Sequence, residues 1–179
     1  GSTPTDYRNI LRIISAYNDD TLKDNEKIYI TLRLFYPNFR DIPKEDYEAA
    51  YKSAHEFIDC RTAPDKSGPK VIDWIKDEQL IFAAINNVAK TEIRAVNELH
   101  WWTFLGYFQS INRDDLFSFI VSIRQKRAKG KKLEKYESEF FSANRSMCEI
   151  KQKGSKKAAE NTLMEMFKDL SKKEGESNG

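Results

Sequence analysis

The sequence predicts an all-α protein: a compact multi-helix bundle followed by a helical C-terminal extension. Three observations lead there. Apolar residues recur at spacings of three and four through one segment after another, which is the period of a helix face. The chain has only seven glycines and five prolines in 179 residues, and several of them fall between those segments, where helices stop or start. Candidate capping residues stand beside several of the apolar runs.

"DYRNILRIISAY" sets Tyr7, Ile10, Leu11, Ile14 and Tyr17 on one face and ends at "NDD". "NEKIYITLRLFY" is apolar almost all round and stops at Pro37, which predicts a helix buried on several sides. Lys23 stands where a hydroxyl or acidic cap would be natural, so Thr21 is the candidate substitute. In "IPKEDYEAAYKSAHEFIDC", Pro43 suits a first turn, and Tyr47, Ala50, Tyr51, Ala54, Phe57 and Ile58 form a stripe. "RTAPDKSGPK" reads as a loop and "VIDWI" as a short extended piece. Asp77 is placed to cap a fourth helix carrying Leu80, Ile81, Ala84, Ile85 and Val88.

"ELHWWTFLGYF" is the densest aromatic stretch. At 100° per residue from Leu99, its Trp101, Phe104, Leu105, Tyr107 and Phe108 cover well over half a helix circumference, whereas Thr103, Gly106 and Ser110 share the remainder. Such a helix belongs at the centre of a bundle, with the small residues admitting a close neighbour. His100 then reads as a hydrogen-bonded core residue rather than a ligand. After "INRDD", where Asn112 or Asp114 can cap, "LFSFIVSI" supplies Leu116, Phe119, Ile120 and Ile123 as another face.

The composition then shifts. Residues 1–120 carry 15 Lys+Arg against 19 Asp+Glu, a net of −4, and residues 121–179 carry 15 against 9, a net of +6. Arg124, Lys126, Arg127, Lys129, Lys131, Lys132 and Lys135 crowd into "RQKRAKGKKLEK", with Gly130 expected as a helix C-cap. Beyond it Leu133, Tyr136, Phe140, Ala143, Met147 and Ile150 fill a narrow heptad seam, Gly154 breaks it, and Leu163, Met166, Phe167 and Leu170 form a last stripe. The expected division is a bundle over residues 6–124, a basic amphipathic extension over 125–170 and a disordered tail over 171–179.

Chemistry is sparse. Cys60 and Cys148 are too far apart in sequence for a metal-ligand spacing and fit a reducing cytoplasm. His55 and His100 are the only histidines, so no zinc cluster, cofactor or metal site is expected. The acid pairs Asp19-Asp20 and Asp114-Asp115 sit at helix ends and read as caps, and "DKSGPK" lacks the spacing of a phosphate loop; an enzyme is not expected. No apolar run reaches the length of about 20 residues needed to span a membrane. The basic run leaves two readings open: phosphate contacts to nucleic acid, or cations opposing a helix C-terminal dipole at an exposed junction. The stripes from Leu133 to Ile150 and from Leu163 to Leu170 either fold back on the bundle or form a partner or homo-oligomer interface.

The order "DYRNIL", "NEKIYITLRLFY", "IPKEDYEAAYKSAHEFI", "IDWIKDEQLIFAAI", "LHWWTFLGYF" and "SIRQK" resembles the gene product fifteen family of phages and prophages, over about residues 6–127. The pattern "LHWW.F" followed by "SIR" is its most specific part, and the basic C-terminal third is unmatched. The resemblance implies a tail-gene-cluster protein of long-tailed phages of Gram-positive hosts, most naturally a tail assembly chaperone for the tape-measure protein, with a tail-tube protein as another expected partner. It supplies no catalytic residue. His100, Trp101, Trp102 and Phe104 carry over as a core signature of the fold.

Overall fold

The computed structural model describes residues 3–59 and 69–150, and these are helical, with no β-strand among them. The described residues divide into two compact units, 3–59 and 69–150. The boundary expected at residue 124 therefore falls inside the second unit, in the middle of a helix.

In the first unit, α1 (Tyr7–Asn18) packs on α2 (Asp24–Phe35), and α2 on α3 (Tyr47–Ile58). The start of α1 is fixed by Asp6, whose buried carboxylate accepts from the Arg8 amide at 2.9 Å, a cap worth about 1 kcal/mol. Helix α2 begins differently from the expectation. Thr21 turns back to Asp19, donating from Oγ1 at 2.6 Å, and the α2 end is closed by Glu26, which accepts from the Lys23 amide at 2.7 Å. The same hydrogen bonds from Thr21 hold the Asp19 carboxyl below its usual range.

Nor is α2 buried on several sides. Ile28, Thr31 and Leu32 are buried, whereas Tyr29 is 48% exposed, because a helix in a three-helix layer covers only the stripe its neighbours reach. Ile28, Leu32 and Tyr51 form one buried core cluster, with Tyr36, Phe39, Tyr47 and Ala50 packed around it. The Tyr36 hydroxyl donates to the Ala50 carbonyl at 2.8 Å, tying the end of α2 to α3.

His55 lies against this core, its ring 4.4 Å from Tyr51 and 5.7 Å from Tyr17 between centroids. Its Nε2 is buried with no hydrogen-bond partner among the described residues. Burial pushes its pKa down, opposed by the charge of Asp59. A histidine whose folded pKa is depressed takes up its proton more readily when unfolded, so its stabilising contribution is complete above about pH 6.5 and is lost as pH falls toward the lower folded value. We expect the urea midpoint of the protein to fall between pH 7.5 and 5.5 by more than that of His55→Phe, measured by circular dichroism; equal slopes would assign the acid sensitivity to other groups.

In the second unit, α4 (Glu78–Ala89) packs on α5 (Trp101–Gln109) and α6 (Leu116–Ala128). Two shorter helices follow, α7 (Lys135–Ala143) and α8 (Arg145–Cys148). "VIDWI" is not extended through its length: residues 74–77 form a turn, drawn in by Asp73 Oδ1, which accepts from the Ile75 and Lys76 amides. Helix α6 is capped by Asp115, which accepts from Phe117 at 2.8 Å, rather than by Asn112 or Asp114.

The aromatic helix also departs from the expectation. Trp101 and Phe104 are 2% and 0% exposed and stack 5.5 Å apart, but Trp102 is 43% exposed. His100 is an exposed N-cap with extended backbone, whose Nδ1 accepts from the Trp102 amide at 3.2 Å, not a core residue. Because the helix begins only at Trp101, it is a short surface element with one buried edge. Thr103, Gly106 and Ser110 are exposed, and no other element among the described residues comes within 4 Å of where a Gly106 Cβ would sit, so none of them packs closely on the small-residue strip.

Candidate partner interface

Arg124 lies on the apolar face of α6, one turn beyond Ile120 and 4% exposed. A buried guanidinium must place every N–H, and this one does. Nη1 and Nη2 donate to the two carboxylate oxygens of Asp77 at 2.6 and 2.8 Å. Nε donates to the Cys148 carbonyl at 3.1 Å, Nη1 to Val71 at 3.0 Å and Nη2 to Met147 at 2.7 Å. Asp77, 1% exposed, also accepts from the Asp73 amide at 2.9 Å. Its carboxylate is thus engaged by Arg124 and the preceding turn, and it makes no side-chain cap bond to α4. The pair joins the start of α4, the middle of α6 and the carbonyl end of α8.

Much of the expected basic patch is similarly occupied. Lys126 donates to the buried carboxylate of Glu137 at 2.6 Å, and this bond, with one from the Glu134 amide, holds the Glu137 carboxyl below its usual range. Arg127 lies over the Phe141 ring at 3.8 Å and within 3.8 Å of the Glu149 carboxylate. Lys129, Lys131, Lys132 and Lys135 are exposed, and none of them enters an ion pair with another described residue. They follow the end of α6, where Gly130, at φ +65°, donates to Arg127 and Lys131 donates to Lys126 in the two bonds of a glycine-terminated helix stop.

The expected apolar seam is split. Asn144, at φ −124° and ψ 39°, ends α7, so residues 133–150 are not one continuous helix. On one side of the break Tyr136 stacks on Phe119 of α6 at 6.0 Å and Phe140 meets the same ring edge-on at 5.0 Å. Tyr136 nevertheless stays 60% exposed, as does Leu116 at 46%, three residues before Phe119 on α6. Leu133 is half-buried beside a cavity of about 580 Å³ lined by Lys132, Glu134, Lys135, Ser138 and Glu139. On the other side Met147 and Ile150 are half-buried, and Ile150 lines an open groove of about 840 Å³ with Pro69, Lys76, Arg127 and Cys148. Lys76 donates to the Glu149 carbonyl across it. Leu163, Met166, Phe167 and Leu170 lie outside the described residues.

The Arg124–Asp77 pair was missed because each residue had a ready local role, one as a basic-patch cation and the other as a cap. The signal was present: Arg124 follows Phe117, Ile120 and Ile123 at helical spacing, inside the apolar stripe. No group of His, Cys, Asp and Glu that could hold a metal ion occurs among the described residues, and no helix of theirs is long and apolar enough to cross a membrane.

A family model described as "Bacteriophage Gp15 protein" matches residues 3–149. The chain belongs to the Bacteriophage Gp15 protein family. No curated protein and no solved structure gives a significant match. The Gp15 match runs beyond the resemblance read from the sequence, which ended near residue 127, and takes in α7 and α8. That extent agrees with the geometry, since Arg124 binds the carbonyls of α8 and Phe119 the rings of α7. Membership in this family points to a structural or morphogenetic phage protein.

Proposed function

We propose that this Gp15 protein is a noncatalytic tail morphogenesis factor, a tail assembly chaperone that holds the tape-measure protein in the host cytoplasm through the apolar face shared by α6 and α7. The observation that carries this reading is the aromatic group Phe119, Tyr136 and Phe140, which leaves a tyrosine 60% exposed on a packed, helical support. Exposed aromatic surface of this kind receives the anchor residues of an amphipathic helix, spaced by three and four. A binding surface of that sort needs neither a cofactor nor a catalytic group.

Use of Arg124, Lys126 and Arg127 within the fold weighs against the alternative of a nucleic-acid module, because each is a cation that phosphates would otherwise engage. Co-expression with the tape-measure protein of the same phage tests the proposal. The wild type is expected to keep the tape-measure protein in the soluble fraction and to co-purify with it, and Tyr136→Glu, a change at an exposed site that spares the fold, is expected to lower recovery at least about fivefold, as loss of an aromatic anchor worth about 1–2 kcal/mol requires. Equal recovery with Tyr136→Glu, or the absence of any complex, would overturn it; recovery of the protein as a stoichiometric part of purified virions would favour a structural tail component.

A further inference from the structure

We infer that residues 133–150, carrying α7 and α8, form a flap that lifts from the α4–α5–α6 body as a unit while that body stays folded, a property that goes beyond the chaperone reading and does not rest on it. The two parts are held by different forces. The body is joined by hydrocarbon: Ile81 and Ile85 of α4, Trp101 and Phe104 of α5, and Ile120 and Ile123 of α6 are all buried. Between residues 131 and 150 the only apolar side chain buried to that degree is Cys148, and Tyr136 is 60% exposed. Cations grip the flap instead. Lys126 donates to the Glu137 carboxylate in the first turn of α7, Arg127 lies on Phe141 and near Glu149, and Arg124 donates to the Met147 and Cys148 carbonyls at the end of α8. Lys76, in the turn before α4, donates to the Glu149 carbonyl. Water takes over such bonds when they part, and Glu137 regains its hydration as Lys126 leaves it, so separation costs far less than exposing an equal area of hydrocarbon. Arg124 also keeps Asp77 and the Val71 carbonyl, so lifting the flap strands no buried charge.

The flap carries its own closures. Glu137 accepts from the Glu134 amide at 2.8 Å, which caps α7 from within. At the α7–α8 break the Asn144 side-chain amide donates to the Phe140 carbonyl at 3.1 Å, and Arg145 donates to the Glu149 carboxylate at 2.8 Å. The link to the body is the exposed, nonhelical stretch 129–132, where Gly130 holds φ +65°. A segment with few buried apolar contacts, internal closures and a glycine-bearing connection belongs to the part of a fold that opens without global unfolding. Opening frees the Arg124 donors that serve α8 and uncovers the Phe119 ring from Tyr136 and Phe140, so the surface presented to a partner differs between the two states.

Native-state labelling of Cys148 in the full-length chain tests this, with a small thiol reagent and peptide-resolved mass spectrometry to separate Cys148 from Cys60. The wild type is expected to react at Cys148 at least about a hundredfold faster than global unfolding allows, and with a urea dependence well below that of the circular dichroism melt, because opening exposes little surface. Lys126→Gln acts at the far end of the flap from Cys148. It should speed the reaction about tenfold, since it leaves the Glu137 carboxylate buried without its cation, and should leave hydrogen-exchange protection of the Ile120 and Ile123 amides unchanged. Labelling at the rate and urea slope of global unfolding would overturn the inference. Fast labelling that ignores Lys126→Gln would assign the opening to fraying of α8 alone and overturn it as well. Loss of protection in α6 equal to that in α7 on Lys126→Gln would make the flap part of one cooperative unit, again against the inference.

Discussion

Arg124→Met is expected to destabilise the protein by about 3–5 kcal/mol, among the largest effects of any single substitution outside the apolar core. The size follows from what remains. Removing the guanidinium leaves the Asp77 carboxylate buried with only the Asp73 amide as a described partner, and it strips donors from the carbonyls of Val71, Met147 and Cys148. Arg124→Lys should recover little, because an ammonium is a compact point charge and cannot reach a carboxylate and three carbonyls with a planar fork. Asp77→Leu alone should be similarly harmful, whereas the double variant Arg124→Met with Asp77→Leu should lose distinctly less than the sum of the singles, since no unpaired buried charge is left. Urea melts of the four proteins measure this cycle. Additive, small losses would mean that the pair is dispensable and that α8 is held by other contacts.

Trp101→Ala is expected to cost about 3–5 kcal/mol and Trp102→Ala less than about 1 kcal/mol, although the two residues are neighbours of identical type. Trp101 is 2% exposed and stacks on Phe104, which in turn touches Phe82. Trp102 is 43% exposed, and its indole meets the capping His100 ring at 5.6 Å on the outside of the helix. The pair of melts therefore reads out which face of α5 is inside. Comparable losses for both would restore the view that the whole stretch is core filling.

Helix identity was legible because it is written locally. Stripes such as Tyr51, Ala54 and Ile58 announce a buried face, and Pro37 and Gly130 mark ends through backbone restrictions that no neighbour can alter. How many faces a helix buries was not legible, since that depends on which elements arrive from elsewhere in the chain. The residues of α2 and α5 are apolar around much of their circumference, yet Tyr29 and Trp102 face solvent. Aromatic residues tolerate that exposure because a polar edge can meet water while the ring shields its neighbours. The same limit applied to charge. Composition showed a basic junction, but whether a given cation reaches solvent or a carboxylate is decided by contacts such as Arg124 with Asp77, 47 residues apart in sequence. In the candidate interface, Tyr136 and Phe140 were recognisable as a stripe, whereas their support, Phe119, was assigned to a different face.

A photo-reactive benzoylphenylalanine in place of Tyr136, installed in the protein during phage growth, identifies what the α6–α7 face holds, with the same group at exposed Lys52 as a control. We expect a light-dependent adduct from position 136, and not from position 52, joined to a helical segment of the tape-measure protein. Adducts to DNA alone, or a tape-measure adduct of equal yield from both positions, would contradict it.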